Sequence, residues 1–302
     1  MADLAAPDDD RPRWTIRLGA SWLTLPPAVY VLALLVGPIV LIGLYSFNMR
    51  TNVPFQPTAF STAMWKDFLP PGPNPFWDLF KSSMVITLTV SAVAVLGAYP
   101  VAYFLAFCVK RRRYTLLMII LAPFFTSYLL RVIAWQVMLN NDGVVNSLLW
   151  ELHLRKHGDA ISWLINTRFS VGLVLFYSWV PFVALPIFVV LENLDRHLLE
   201  AAQDLGASRF ATFLRVTFPL SLPGVVAGFV FVLIPTTGEF ITPLLVGGPS
   251  SYMFGNSIQQ FFGESQNWNY GSVLALWLVG VVVVMLLIFG RFLNTDLRET
   301  PR

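Results

Sequence analysis

Two charged residues, Arg131 and Glu239, stand alone inside long apolar stretches of the chain. A charge within a membrane span is costly, so such a residue usually faces the interior of a helix bundle and has a function. In straight helices that rise about 1.5 Å per residue, both would lie toward the same, outer side of the membrane. One interpretation is therefore that the two side chains pair with each other. The other is that Glu239 faces a pathway and attracts an ammonium group.

The residues around Glu239 favour a pathway. Residues 235–238 read Pro-Thr-Thr-Gly, which predicts a broken or loosened helix whose backbone can line a cavity. Recognition of organic cations calls for carboxylates together with aromatic faces. The candidate companions of Glu239 in such a site are Tyr128, Trp135 and Asp142. Aromatic residues near helix ends also serve as interfacial anchors, so that interpretation stays open for Tyr128 and Trp135.

The residues that a disulfide, a metal site, a phosphate loop or an enzyme active site would require are not found. A single cysteine, Cys108, allows neither an intrachain disulfide nor a cysteine metal cluster, and the three histidines are scattered. The chain has no Gly-Lys dipeptide and hence no Gly-rich phosphate loop. No cluster of His, Asp or Ser at one depth indicates a membrane enzyme. We therefore expect no enzyme, no metal and no cofactor in this chain, and any ATP must be bound by another subunit.

Composition explains where the two lone charges must sit. Of 302 residues, 56% are hydrophobic and only 12% are charged, whereas a soluble domain has about 25% charged residues. Stretches of about 20 apolar residues cross a bilayer as helices. The net charge of +3 is too small to indicate nucleic-acid binding. We predict an all-α membrane protein with six transmembrane helices, at about 21–47, 82–109, 114–139, 169–191, 222–245 and 271–291.

Lysine and arginine in the short loops predict the orientation. Thirteen of them lie on the side that holds both chain ends, and six lie on the other side. The Lys-Arg-Arg-Arg block at 110–113 is the strongest local anchor. Because positive residues accumulate on the cytoplasmic side, we expect the tails 1–20 and 293–302 and the long segment 192–221 to be cytoplasmic.

The segment 192–221 is too polar to cross the bilayer and too rich in helix formers to be a linker. It predicts a helix over LDRHLLEAAQDL, a stop at Gly206, and a second short helix that ends at Pro219. Ala201, Ala202 and Gly206 give the first helix a face of small residues, which another protein can approach closely.

This segment resembles the signature loop of ABC importer permeases. The motif residues are Glu200, Ala201, Ala202 and Gly206, followed at the family's spacing by Val216, Phe218 and Pro219. Valine stands where isoleucine is usual, and phenylalanine stands where leucine is usual. The resemblance covers about residues 80–292 and implies the type I ABC importer permease fold, a five-helix core to which the first helix is an addition.

The resemblance also implies partners. The loop would dock in a cleft of an ATP-binding subunit, of which there would be two, through Glu200, Ala201, Ala202, Asp204, Gly206 and Pro219. One copy of the core implies a second permease, which the resemblance favours as a paralogue. A periplasmic substrate-binding protein and membrane lipid complete the partners, with the chain in the bacterial inner membrane and no nucleic acid bound.

Sequence strings that are less specific than the signature loop indicate the cargo. The strings LEAAQDLGAS, FPLSLPGVVAG, PTTGEFITPLLVGGP, MFGN and Asn-Trp at 267–268 look most like polyamine permeases, for putrescine or spermidine. Relatives in the same family import ferric ion, thiamine or phosphonates, so these cargoes stay open. An ion-coupled secondary transporter is the alternative from another class, although it would call for more paired ionisable residues at mid-membrane.

Overall fold

The computed structural model describes residues 21–47, 60–69, 74–156 and 158–296. The predicted tail at 1–20 and the last six residues of the predicted tail at 293–302 lie outside them. Every regular element in the described residues is a helix, so the predicted all-α class is confirmed.

The α-helices of the described residues are numbered in chain order. They are α1 (Ser21–Ser46), α2 (Ala63–Phe68), α3 (Pro75–Tyr103), α4 (Arg113–Leu121), α5 (Tyr128–Leu139), α6 (Val144–Glu151), α7 (Arg168–Glu192), α8 (Arg196–Asp204), α9 (Arg209–Thr212), α10 (Phe218–Thr237), α11 (Phe254–Gly263) and α12 (Trp268–Asp296). Five stretches are long and apolar enough to cross a membrane as single helices. They are Leu25–Ser46, Pro75–Cys108, Arg168–Glu192, Arg209–Thr237 and Trp268–Arg291.

The third predicted span is not one helix. Its two parts, Arg113–Phe125 and Tyr128–Glu151, differ in direction by 86°, so the prediction of a continuous helix over 114–139 is wrong. A tight 3₁₀ turn at Ala122–Phe125 follows α4, and the N–H of Thr126 bonds to the carbonyl of Pro123 at 3.3 Å. Thr126 and Ser127 then adopt extended backbone angles, with ψ of 155° and 135°, and the bend lies at these two residues.

Two predicted helix ends also differ from the structure. The fifth span stops at Thr237 and not near residue 245. The second helix of the 192–221 segment does not end at Pro219, because α9 continues through a π-helical turn at Phe213–Thr217 into α10. In that turn the N–H of Phe218 reaches back five residues to the carbonyl of Phe213. Pro219 then sits in the first turn of α10, where its missing N–H costs little.

Helices α3, α7 and α10 form the centre of the bundle, and small residues let them approach closely. A Cβ atom at Gly224 of α10 would lie 2.8 Å from the carbonyl oxygen of Pro186, and one at Gly228 would lie 2.9 Å from Cγ1 of Val183. Tyr99 of α3 and Ser221 of α10 share a buried hydrogen bond of 2.9 Å. Close backbone packing and hydrogen bonds between helices replace the hydrophobic effect inside a membrane.

The bundle has an α8 end and an α11 end. At the α11 end, the N–H of Phe254 bonds to Oγ of Ser83 near the start of α3 at 2.7 Å. There also, the rings of Tyr45 and Trp268 lie 6.1 Å apart and join the last turn of α1 to the first turn of α12. Since α1 and α12 run in opposite directions, α1 begins and α12 ends at the α8 end.

Candidate functional site

The first candidate site is the α8 hairpin, residues 195–212, in which helix α8 turns sharply into α9. Asp195 caps α8 by accepting the N–H of His197 at 3.0 Å, and Ser208 caps α9 by accepting the N–H of Ala211 at 3.2 Å. These short polar side chains satisfy N–H groups that have no partner within the helix.

Gly206 makes the turn between the two helices. Its φ of +86° is a left-handed conformation that glycine adopts without steric cost. The N–H of Gly206 bonds to the carbonyl of Gln203 at 2.9 Å, and the N–H of Ala207 bonds to that of Ala202 at 3.0 Å. This pair of bonds closes the helix in the manner of a Schellman motif, so the predicted stop at Gly206 is confirmed.

The hairpin presents an apolar surface outside the membrane-spanning bundle. Leu205 is 89% exposed and Phe210 is 70% exposed, and none of the residues of α8 is buried. Among the predicted docking residues, Glu200, Ala201, Asp204, Gly206 and Pro219 are exposed and Ala202 is half-buried. Large exposed apolar residues around a small-residue face are typical of a protein-binding surface.

A polar contact fixes the base of the hairpin to the bundle. Glu192, the last residue of α7, accepts Nη2 of Arg113 at 2.7 Å and the hydroxyl of Tyr114. One turn further on, Nη2 of Arg196 reaches the carbonyl of Ala106 at 3.4 Å. The hairpin therefore follows directly on α7, and these contacts fix its base to the start of α4 and to the end of the second span.

The second candidate site is the helix break, residues 238–240, where the helical path of α10 is interrupted after Thr237. The predicted interruption next to Gly238 is confirmed. Oε1 of Glu239 accepts the N–H groups of Ile241 and Thr242 at 2.8 and 3.0 Å, so the carboxylate caps the helical turn at 241–247. Glu239 is only 8% exposed, and these bonds compensate for burying its charge.

Tyr128 is the third hydrogen-bond donor to Glu239. Its hydroxyl donates to Oε2 of Glu239 at 2.9 Å and lies 2.6 Å from Oγ1 of Thr242. Because a phenol has one proton, Thr242 donates to Tyr128 while Tyr128 donates to Glu239. The structure thus joins Glu239 and Tyr128, which the sequence proposed as companions, and adds Thr242.

Arg131 does not neutralise Glu239. Among the described residues no ion pair joins the two side chains. The Arg131 guanidinium instead lies over the ring of Phe124, 4.4 Å from its centre, and its Nε and Nη1 are buried without a hydrogen-bond partner. The structural ion pair that the sequence left open is therefore not formed in this conformation.

The other two proposed companions lie apart from Glu239. Trp135 is half-buried two helical turns beyond Tyr128 on α5 and contacts the ring of Tyr177 edge-on, at 5.2 Å between centres. Asp142 is exposed in the turn between α5 and α6. The structure brings neither into hydrogen-bond contact with Glu239.

Two residues of the break were missed by the sequence reasoning. Nδ2 of Asn256 donates to the carbonyl of Phe240 at 2.8 Å, and its Oδ1 accepts the N–H of Met253 at 2.8 Å. Gly255 packs directly on the break, since a Cβ there would lie 2.6 Å from the carbonyl oxygen of Gly238. The sequence does not indicate these two contacts. It indicates only the helical turn at 241–247, because Pro243 is typical of a helix start.

An apolar cavity of about 710 Å³ adjoins the break. The first turns of α12 and one face of α11 form its other walls. Its larger lining residues are Phe240, Ile258, Phe262, Trp268 and Leu278. The cavity lies beside the backbone of Gly238 and not over the Glu239 carboxylate.

Comparison with known proteins agrees with this arrangement. Residues 72–298 match the family model described as "Binding-protein-dependent transport system inner membrane component". The chain belongs to this family. The family and its relatives are transport permeases, so the predictions of an ABC importer permease in the inner membrane and of no enzyme are confirmed.

Individual relatives extend the match along most of the chain. The "Spermidine/putrescine transport system permease protein PotB" of Haemophilus influenzae is 33% identical over 222 residues, 72% of this chain and 77% of that protein. The protein of the same name from Escherichia coli is 31% identical over 246 residues, 82% and 87% of the two chains. A chain of a bacterial ABC transporter that imports alginate is 19% identical and superposes with a TM-score of 0.62, over 93% of this chain and 96% of that one. This likeness confirms the predicted permease fold.

The hydrogen bonds of this permease predict how its break responds to mutation. Tyr128→Phe and Glu239→Gln each remove part of one network, and hydrogen bonds to a charged group contribute about 1.5–3 kcal/mol. We expect each to lower the thermal midpoint of the purified protein, and the double variant to lose less than the sum of the two. Unfolding followed by intrinsic fluorescence in detergent measures this coupling.

Arg131→Gln serves as the control for that experiment. Because Arg131 forms no ion pair with Glu239 and shares with it only the neighbour Tyr128, adding Arg131→Gln should not restore the stability that Glu239→Gln loses. Restored stability in the Arg131→Gln, Glu239→Gln double variant would mean that the two charges pair after all.

Proposed function

We propose that this chain is the permease of a polyamine importer and forms one half of its translocation pathway. The observation that carries the proposal is the identity of 31–33% to permeases named for spermidine and putrescine transport, over 72–82% of this chain. The buried carboxylate at the helix break, with a phenol beside it, is compatible with a cationic cargo.

The α8 hairpin is the docking surface for an ATP-binding subunit. Its exposed Leu205 and Phe210 flank the small residues Ala201 and Gly206, so an apolar cleft can close over them. This assignment puts the α8 end, with the start of α1 and the end of α12, in the cytoplasm. The excess of lysine and arginine on that side supports the same orientation.

The mechanism follows from the two ends of the bundle. A periplasmic binding protein delivers the cargo at the α11 end, and two ATP-binding subunits at the α8 end bind and hydrolyse ATP. Their closure displaces the α8 hairpins of this chain and of a second permease, a paralogue of this chain. The pathway between the two permeases then alternates between the two sides of the membrane.

Glu239, Tyr128, Trp135 and Asp142 are our proposed pathway residues. Three donors already occupy the Glu239 carboxylate, and a carboxylate has about four acceptor sites. An ammonium group of the cargo can therefore be the fourth partner or can replace the Tyr128 hydroxyl. Asp142 and Trp135 lie further along α5 and its following turn, where they would meet the cargo separately from Glu239.

Deletion of this chain should abolish uptake of labelled putrescine or spermidine by intact cells, and its restoration should recover uptake. A control strain that carries a mutant unable to couple to ATP separates loss of transport from loss of expression. Unchanged polyamine uptake would contradict the polyamine assignment and would direct the same assay to ferric ion, thiamine and phosphonates.

Glu239→Gln should weaken polyamine uptake when compared at equal amounts of assembled protein, because it removes the negative charge that would attract an ammonium group. The matched control is Glu264→Gln, an exposed glutamate at the α11 end. Normal uptake kinetics in Glu239→Gln would limit Glu239 to capping the helical turn.

Gly206→Asp should abolish uptake while the protein still reaches the membrane, because a charged side chain would enter the docking surface. Gly158→Asp is a matched control, since Gly158 has a φ of +87° and, like Gly206, no atom within 4 Å of a Cβ. Both substitutions cost about 1–2 kcal/mol in backbone conformation. Uptake that survives Gly206→Asp, or falls equally in both variants, would refute the docking assignment.

A further inference from the structure

The first part of the broken third span, Arg113–Phe125, lies between two contacts with glutamates of other helices or turns. At the α8 end, Arg113 and Tyr114 bind Glu192 of α7. Beyond the bend, Tyr128 binds Glu239 at the helix break. Helix α4 and the following 3₁₀ turn, which separate these contacts, extend roughly 20 Å.

Apolar packing of α4 is confined to one face. Leu117 is buried and Leu116, Ile120 and Leu121 pack against the core, whereas Met118 and Ile119 are exposed. Near the bend, Phe124 contacts the ring of Phe182 on α7 edge-on, at 4.6 Å between centres. The segment therefore has a polar attachment near each end and an aromatic contact with α7 near its bend.

The Glu192 contact is stronger than an ordinary surface ion pair. The side chains of Arg113 and Glu192 are 27% and 14% exposed, whereas those of Lys81 and Asp78 are 72% and 78% exposed. Exposed pairs contribute little, while a partly buried pair with additional hydrogen bonds is screened less. Tyr114 adds such a bond, and its ring is edge-on to buried Phe188 of α7 at 6.1 Å.

The position of Glu192 links this contact to the α8 hairpin. It ends α7 three residues before Asp195, the residue that caps α8. A force that displaces α8 acts on the end of α7 and therefore on the bond between Glu192 and Arg113.

We propose that Arg113, Tyr114 and Glu192 are positioning residues that transmit the movement of the α8 hairpin into the bent span and, through Tyr128, to the helix break. This inference rests on the proposed docking of ATP-binding subunits at α8. It assigns a mechanical role to the loop arginine at the start of α4, beyond that of anchoring the chain at the membrane surface. Spatial continuity alone does not establish coupling, so the test measures the response of the break directly.

The experiment uses the complete transporter, purified with its partner subunits and reconstituted in proteoliposomes. Cys108→Ser removes the single cysteine of the chain, and Leu244→Cys, at an exposed site in the turn after the break, carries a bimane fluorophore. We measure the change in bimane fluorescence between the nucleotide-free and vanadate-trapped states, together with basal ATP hydrolysis. Neither readout depends on the identity of the cargo.

Glu192→Gln and Arg113→Gln should each remove most of the fluorescence change, with ATP hydrolysis retained. The double variant should lose no more than either single variant, because both remove the same link. Asp159→Asn is the matched control, since it removes a different ion pair, with Arg155 at 3.5 Å, and should respond as the parent does.

The outcomes separate this inference from the proposed function. A parent that responds to nucleotide and a Glu192→Gln variant that responds equally would overturn the role of Glu192 alone. A parent that hydrolyses ATP without a change in fluorescence would overturn the inference and would leave the docking of ATP-binding subunits at α8 to the Gly206→Asp test. If Glu192→Gln lowers the fluorescence change and the rate of ATP hydrolysis by the same factor, Glu192 serves only assembly of the complex.

Discussion

A helix that stops at the end of a membrane span leaves main-chain N–H and C=O groups without partners, and lipid offers none. This constraint determines the arrangement around residues 238–240. Glu239 accepts hydrogen bonds from the N–H groups that begin the next turn, and Asn256 donates one to the carbonyl of Phe240. The position of α11 and the contact with α5 both follow from the need to satisfy this one break.

This constraint does not apply at the α8 end of the bundle. Outside the membrane, water satisfies exposed polar groups, so the α8 hairpin needs few contacts of its own. Caps at Asp195 and Ser208 and the left-handed Gly206 are enough to fix its shape. Its apolar residues remain uncovered and available to another protein, while Glu192 ties its base to the span that reaches the break.

Sequence reasoning predicted the features that depend on local chemistry. The apolar stretches predicted the all-α class. Gly206 predicted the turn after α8, and residues 235–238 predicted the interruption of α10. The bend at Thr126 and Ser127 was missed because neither residue is a glycine or proline, the residues that most strongly mark a break. The partners of Glu239 were only partly foreseen: Tyr128 was proposed, whereas the bonds with Ile241 and Thr242 depend on the helical turn that begins after the break.

Contact between α11 and the break is made by the main chain of Gly255 against the carbonyls of Gly238 and Glu239. A backbone contact of this kind is independent of most side chains around it. The neighbouring cavity wall, by contrast, consists of side chains such as Ile258 and Phe262. Substitutions at Ile258 or Phe262 can therefore change the shape of the cavity while the contact between α11 and the break stays in place.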